Sequence, residues 1–396
     1  MTNHLPVRFG IDVLRAQGFQ SLRGLRVGAI CNTTSIDARF EHLADLLQGA
    51  AGVTLVSLFG PEHGVRGEAQ DMIGVDDDGR DPATGLPVHS LYGASFESLS
   101  PTPASLRGLD ALVFDIQDVG SRYYTYIYTM ALCMKAAARA RIAFVVLDRP
   151  NPINGVQIEG NLVHPGFESF VGLFPLPNRH AMTAGELARY FNDVHGIGCD
   201  LTVVPCEGWQ RAMWWEETGR AFVPPSPNMP TVDTACVYPG LCLVEGTNLS
   251  EGRGTTRPFE LIGAPFLDSK RFVEALRAEH LEGVAFRATS FLPTFQKHAG
   301  QSCGGAMIHV MDRASFQPLR TGIALLRAAK AVGGERFQWR TEKYEFIDDK
   351  PAIDLLCGTD SIRKALDAGQ SLDECMRGFE EELNSFKEVR KRYLIY

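Results

Sequence analysis

The residue types best suited to chemistry are concentrated in one short run, Phe59-Gly60-Pro61-Glu62-His63-Gly64-Val65-Arg66-Gly67. A carboxylate beside an imidazole suits proton transfer. The glycines let backbone approach a ligand closely, and Arg66 adds a fixed positive charge. A solvated turn whose glycines serve only its geometry would look similar, so this run needs support from elsewhere. A second run, Asp115-Ile116-Gln117-Asp118-Val119-Gly120-Ser121-Arg122-Tyr123-Tyr124-Thr125-Tyr126, sets carboxylates, an amide and an arginine beside tyrosines. Such a rim can hydrogen-bond the hydroxyls of a sugar and stack rings on its apolar faces. The plainer reading is a capped loop with interfacial tyrosines. Asp148-Arg149-Pro150-Asn151-Pro152 and residues 243–256, with Glu245, Asn248, Ser250, Glu251 and Arg253, are polar enough to line a cleft or to be surface loops. His180 and His89 stand singly and fit structural hydrogen bonding better than ligand binding.

Other signatures are missing or misleading. GxGxxG after a strand, GxxxxGK[ST] and HExxH are all absent, which removes support for dinucleotide enzymes, P-loop NTPases and zinc peptidases. Gly300-Gln301-Ser302-Cys303-Gly304 matches the GxSxG of serine hydrolases. That elbow needs an apolar strand before it and a helix after it, whereas a polar stretch precedes this one and a strand-like run follows. An esterase or amidase is therefore disfavoured. The nine cysteines are scattered, with no CxxC pair, which reads as reduced core thiols and neither zinc nor disulfide chemistry. No His/Cys/Asp cluster has metal-ligand spacing, so no metal is expected. A net charge of -8 with no Lys/Arg run disfavours nucleic acid and anionic membrane as partners. An anionic ligand would have to be met by a few placed arginines. The opening residues show no basic, then apolar, leader pattern, and no segment reaches the length of a membrane span. The expected location is cytoplasmic.

These residues need a scaffold to bring them together. Residues 25–31, 53–59, 111–116 and 142–147 are short apolar runs that alternate with helical patterns, including residues 40–47, 126–141 and 183–194. This is the pattern of a mostly parallel sheet wrapped by helices. Each strand runs into a polar segment at its carboxyl end, the edge where open α/β sheets bind ligands. Thr183 with Glu186 three residues on reads as a capping box. Residues 224–230, rich in proline, exclude regular structure and place a domain boundary just after them, between residues 1–232 and residues 233–396. In the second part, residues 269–279 and 321–331 read as helices, residues 306–311 as a strand and residues 372–391 as one long charged helix.

Taken in order, FGPEHGVRG (59–67), GLPVHSLYG (85–93), FDIQDVGSRYYTYIYTM (114–130), DRPNPING (148–155), PSPNMPT (225–231) and EGTNLSEGRGTTRPFELIGAP (245–265) resemble the NamZ-type exo-β-N-acetylmuramidases. The likeness continues through residues 351–358 and 393–396 and so covers essentially the whole chain. It implies a Rossmann-like catalytic domain, a smaller α/β domain and a cleft between them. It also implies cofactor-free hydrolysis of the bond to a non-reducing terminal N-acetylmuramic acid, a small-molecule substrate drawn from peptidoglycan fragments. The family's catalytic glutamate lies in the PEHG block, here Glu62. The blocks further imply His63, Arg66, Asp115, Gln117, Asp118, Arg122, Tyr123, Asp148, Asn151, Asn228, Glu245, Asn248, Glu251 and Arg253 as cleft lining. Many members carry an export signal, and its absence here favours fragment recycling over wall digestion.

Glycoside hydrolysis commonly uses two carboxyl groups. Glu62 is the expected acid, with His63 orienting it or tuning its charge. Asp115, Asp118 and Glu251 are candidates for base or nucleophile, and a substrate-assisted path through the 2-acetamido group is open. The lactyl carboxylate of muramic acid calls for a guanidinium fork, with Arg66, Arg122 and Arg253 as candidates. A sugar-binding protein on the same scaffold would need the arginines and tyrosines but not the Glu62-His63 pair.

Overall fold

A computed structural model describes residues 6–66 and 79–396; Gly67, the last residue of the first run, lies outside them. The central apolar runs of the first half are buried on both faces, as a helix-covered parallel sheet requires, while the edge runs are only partly buried, and together they form six strands. These are β1 (Arg26–Cys31), β2 (Thr54–Gly60), β3 (Val88–Ser90), β4 (Ala111–Asp115), β5 (Ala143–Leu147) and β6 (Leu201–Val204). They pair in parallel in the order β3-β2-β1-β4-β5-β6, the doubly wound arrangement whose ligand crevice lies where the order reverses. Cys31 of β1 sits in register with Asp115 of β4 at that point. Helices α1 (Gly10–Ala16), α2 (Leu43–Gly49), α3 (Tyr126–Ala140) and α4 (Ala184–Val194) accompany the sheet. Thr183 and Glu186 form the capping box of α4. Helix α2 starts later than the periodicity suggests, because Phe40 takes a φ of 62° and His42 supplies the N-cap by accepting from Ala44 N.

The second half opens with α5 (Val232–Leu241) and carries a three-stranded antiparallel sheet. This sheet is built from β7 (Leu261–Ala264), β8 (Val284–Phe291) and β9 (Cys303–Val310) in the order β7-β9-β8. Cys303 begins β9, so the GxSxG match leads into a strand, as the sequence indicated. Helix α6 (Ser269–Arg277) backs this sheet, and α7 (Pro318–Gly333) packs against α6 and α5. Helices α5 and α7 cross at Gly240 and Gly322; a Cβ on Gly322 would stand 2.2 Å from Gly240 O, so neither position tolerates a side chain. Four short helices follow: α8 (Ala352–Cys357), α9 (Ser361–Asp367), α10 (Leu372–Cys375) and α11 (Phe379–Arg390). The single long helix expected over residues 372–391 is thus two, because Gly378 adopts a φ of 87° and breaks the run. The end of the chain returns to the parallel sheet, where Tyr396 donates to Asp148 Oδ2 at 2.7 Å and Arg390 donates to the Ala181 carbonyl at 2.7 Å. One hydrophobic cluster runs without interruption from Phe59 and Phe114 to Leu325 and Leu356.

Candidate functional site

The site starts at the carboxyl end of β2. Pro61, Glu62 and His63 leave the strand in a turn, with His63 at φ 72° and Gly64 at φ 79°. The second of these is natural for glycine; the first is a costly conformation for histidine, of a kind that concentrates at functional sites. The turn rests on the β4–α3 connection: Thr125 Oγ1 donates to Glu62 Oε2 at 3.4 Å, and Tyr126 OH lies 3.4 Å from Glu62 O. Burial, with the Glu62 charge nearby, pushes the Tyr126 phenol well above its ordinary range, so it stays a neutral donor. That hydroxyl also donates to Pro225 O at 2.8 Å, and Asn32 Nδ2 reaches the same carbonyl at 3.2 Å. The proline-rich segment is therefore pinned over the ends of β1 and β4, which brings Ser226, Asn228 and Met229 to the same cleft. Asn228 is 6% exposed and its Nδ2 has no hydrogen-bond partner among the described residues. A buried amide donor left open in a cleft calls for an acceptor on a ligand.

The opposite wall comes from the second half. Glu245 lies in the short turn after α5, and Arg253 is framed by Gly252 and Gly254, both with φ near 80° (79° and 78°). A Cβ on Gly252 would stand 2.6 Å from Leu261 O, so the loop carrying Arg253 depends on glycine there. Arg253 Nη2 donates to Glu245 Oε1 at 2.7 Å, and its Nε lies 3.3 Å from Glu251 Oε1. Tyr344 OH donates to Glu245 Oε2 at 2.7 Å. Burial works against the charge on Glu245, but Arg253 and Tyr344 outweigh it and hold the carboxyl below its ordinary range. A relay of edge-on rings, Tyr126, Tyr124, Tyr238 and Phe259, joins the two walls, and Arg253 lies 5.1 Å over Phe259. The result is a polar, aromatic-sided cleft with an acid–imidazole pair on one wall and a carboxylate–guanidinium pair on the other. Such a cleft can hydrogen-bond a polar ligand, donate a proton and stabilise charge. Among the described residues, no group of three or more His, Cys, Asp or Glu could hold a metal ion.

Two family models, "Exo-beta-N-acetylmuramidase NamZ, N-terminal" and its C-terminal counterpart, match residues 27–233 and 236–396. The chain belongs to the NamZ family. It is 46% identical over 392 residues to the peptidoglycan beta-N-acetylmuramidase NamZ of Bacillus subtilis (strain 168), covering 98% of this chain and 91% of that protein. Two crystal structures of DUF1343 family proteins from Bacteroides fragilis share the fold. One has a TM-score of 0.89 at 34% identity, over 99% of this chain and 100% of that one. The other has a TM-score of 0.78 at 30% identity, over 99% of each.

Within this NamZ family member, Glu62, His63, Tyr123, Asn228, Glu245 and Arg253 share the cleft. Asn248 and Glu251 lie in an adjoining cavity that Glu245 also lines. The other residues named from the sequence are engaged by protein partners, and Gln117 also lines a separate cavity beside Thr34 and Arg149. Arg66 is turned away into a two-pronged pair with Asp81 at 2.9 and 3.0 Å, which holds the Asp81 carboxyl down at about 2. Arg122 is fully buried and donates to the carbonyls of Asn161, Leu176 and Leu356 at 2.7–2.8 Å. Asp115 is buried against Arg149, with a 2.9 Å contact to Nη2, and burial raises its carboxyl. Gln117 donates to Asp118 O and Pro150 O. Asp118 accepts from Gly120 N at 2.7 Å, with His180 Nε2 3.3 Å away. Asp148 caps α4 through Gly185 N and Thr183, and Asn151 donates to Met182 O. Tyr344 and Glu345 were not found by sequence reasoning. The left-handed backbone of Glu345 and Phe346 (φ 44° and 71°) leaves no mark in residue type.

Proposed function

We propose that this chain is an exo-acting glycoside hydrolase that releases non-reducing terminal N-acetylmuramic acid from peptidoglycan fragments. The observation that carries this reading is the cleft in which Glu62 and His63 face Glu245 and Arg253, in a chain of the NamZ family. Glu62 is the general acid that protonates the leaving oxygen, and the adjacent His63 orients it. Of the three arginines considered for the lactyl carboxylate, Arg253 lines the cleft, whereas Arg66 and Arg122 are bound elsewhere. Arg253 is therefore the recognition residue. Asp115 is occupied by Arg149, and Glu245, held ionised in the cleft, becomes the leading candidate for the second carboxyl group. All nine cysteines are buried thiols without disulfides, which suits a reducing compartment and supports cytoplasmic fragment recycling. No helix among the described residues is long and apolar enough to cross a membrane.

Incubation with a chromogenic muramoside, the matching glucosaminide and a simple ester tests the reading. Hydrolysis of the muramoside alone is expected. Turnover of the ester or equal turnover of both sugars would overturn it, and binding of the muramoside without turnover would point to a sugar-binding protein.

A further inference from the structure

The carboxyl edge of the parallel sheet borders another space, which the reaction proposed above leaves unused. It is a cavity of about 190 Å³ lined by Thr34, just past β1, and Gln117, just past β4. The strand order reverses there, the point at which open α/β sheets take their ligands. No residue lines both this cavity and the cleft. The chain passes from one to the other between Val223, which lines the cavity, and Ser226, which lines the cleft. Thr33 Oγ1 and Asn32 Nδ2 donate to the carbonyls of Pro224 and Pro225 at 3.4 and 3.2 Å and tie down that crossing. Phe9, Ile36, Phe40, Trp215 and Val223 give the cavity an apolar, largely aromatic wall. Phe40 is 65% exposed and in left-handed backbone (φ 62°), a strained conformation of the kind that gathers at ligand clamps.

Two polar groups in this wall are left open. Gln117 is 2% exposed, and its Nε2 donates to the carbonyls of Asp118 and Pro150 at 2.7 and 2.8 Å, which settles which end of the amide is the oxygen. Its Oε1 has no hydrogen-bond partner among the described residues. A buried carbonyl oxygen with both lone pairs unfilled calls for a donor. Arg149, also buried, directs Nε and Nη2 to Asp115 and the Ile36 carbonyl, and its Nη1 makes no hydrogen bond to a described residue. The charges in the lining are matched from outside it: Asp37 by Arg15, Arg149 by Asp115 and Arg220 by Asp12. No charge excess remains to attract an ion. We infer that this cavity binds a small, uncharged, planar heterocycle whose edge carries an N–H beside a C=O, as a pyrimidine base or a lactam does. The N–H donates to Gln117 Oε1, the ring carbonyl accepts from Arg149 Nη1, and the ring lies against the aromatic wall. The inference does not depend on the glycosidase reading.

The test follows binding of uracil and of uridine to the full chain by ligand-observed NMR, with and without an excess of N-acetylmuramic acid. Saturable binding of at least one probe, undisturbed by the sugar, is expected. The tighter of the two tells whether the ring arrives free or on a ribose. The analogue N,N′-dimethyluracil keeps the ring and its carbonyls but has no N–H, and should bind at least about tenfold more weakly than uracil. Ala221→Trp sets an indole at an exposed position of the lining and should abolish binding with little change in melting temperature. Phe40→Ala, at another exposed position, should weaken binding about threefold. Absence of binding by both probes, equal binding of the dimethyl analogue, displacement by N-acetylmuramic acid, or undiminished binding in folded Ala221→Trp would overturn the inference.

Discussion

Tyr344 and Glu245, 99 residues apart in sequence, meet through one 2.7 Å hydrogen bond at the base of the cleft. Glu245 thereby shares its two oxygens between a neutral donor and the Arg253 guanidinium. The two partners contribute differently to stability. Tyr344→Phe keeps the ring and removes one donor, and should cost about 1–2 kcal/mol. Glu245→Ala leaves Arg253 buried with half its compensation and should cost about 3–5 kcal/mol. Urea unfolding midpoints would show the difference; equal losses would mean that Arg253 does not depend on Glu245.

Glu62→Gln preserves shape and hydrogen bonding but cannot donate a proton. The variant should stay folded and lose about 10²–10⁴-fold in turnover of a natural disaccharide. With an activated aryl leaving group the loss should shrink, because that group needs less protonation. Near-normal hydrolysis of the disaccharide would remove Glu62 from the mechanism.

The arginines divide into recognition and scaffold. Arg253→Met should lower the preference for the muramoside over the glucosaminide by about 2–5 kcal/mol, the usual cost of truncating a desolvated charge pair. Taking the ratio of kcat/KM for the two sugars cancels any loss of folded protein. Arg122→Met strands the carbonyls of Asn161, Leu176 and Leu356. It should lower the melting temperature clearly while leaving that ratio unchanged. A changed ratio in Arg122→Met would place it in recognition after all.

Burial pushes the Asp148 carboxyl up to about 6, above the ordinary carboxylate value of about 3.9. The folded state therefore holds this proton more tightly than the unfolded chain does. Its contribution to stability is complete below about pH 4 and is lost as pH rises to about 6, by about 2–3 kcal/mol. Asp148→Asn should flatten that window in a pH series of denaturation curves. An unchanged slope would assign the dependence to another group.

Activity should survive chelation, since no described cluster could hold a metal. Loss in EDTA that one added ion restores would contradict this.

Strands β1, β2, β4 and β5 were legible because each is a mostly apolar run that ends in polar residues. Strand β3, Val88–Ser90, is too short to show a period, and β7, Leu261–Ala264, is buried in a glycine-rich stretch. That Glu62 and His63 leave the carboxyl end of β2 was legible, because the apolar run before them reads as a strand that stops at Gly60-Pro61. Arg66, Arg122 and Asp148 looked equally functional, since residue type does not reveal whether a charge faces solvent, a ligand or a buried carbonyl. The Asp81 that claims Arg66 and the Leu356 carbonyl that claims Arg122 become neighbours only in the folded chain. Tyr344 escaped notice for the same reason, as nothing near it in sequence indicates that it reaches Glu245.

The return of the chain's end to the parallel sheet bears on how the protein is made. Asp148 and the start of α4 are synthesised early, yet the Tyr396 and Arg390 contacts that close over them lie 248 and 209 residues further along the chain than their partners. At about 5–20 residues per second, the first half waits on the order of ten seconds on the ribosome for its closing contacts. During that interval Arg122, whose partner Leu356 O is also late, lies in an incompletely sealed core. Substitutions in residues 390–396 should therefore reduce the yield of soluble protein more than they reduce the activity of each folded molecule.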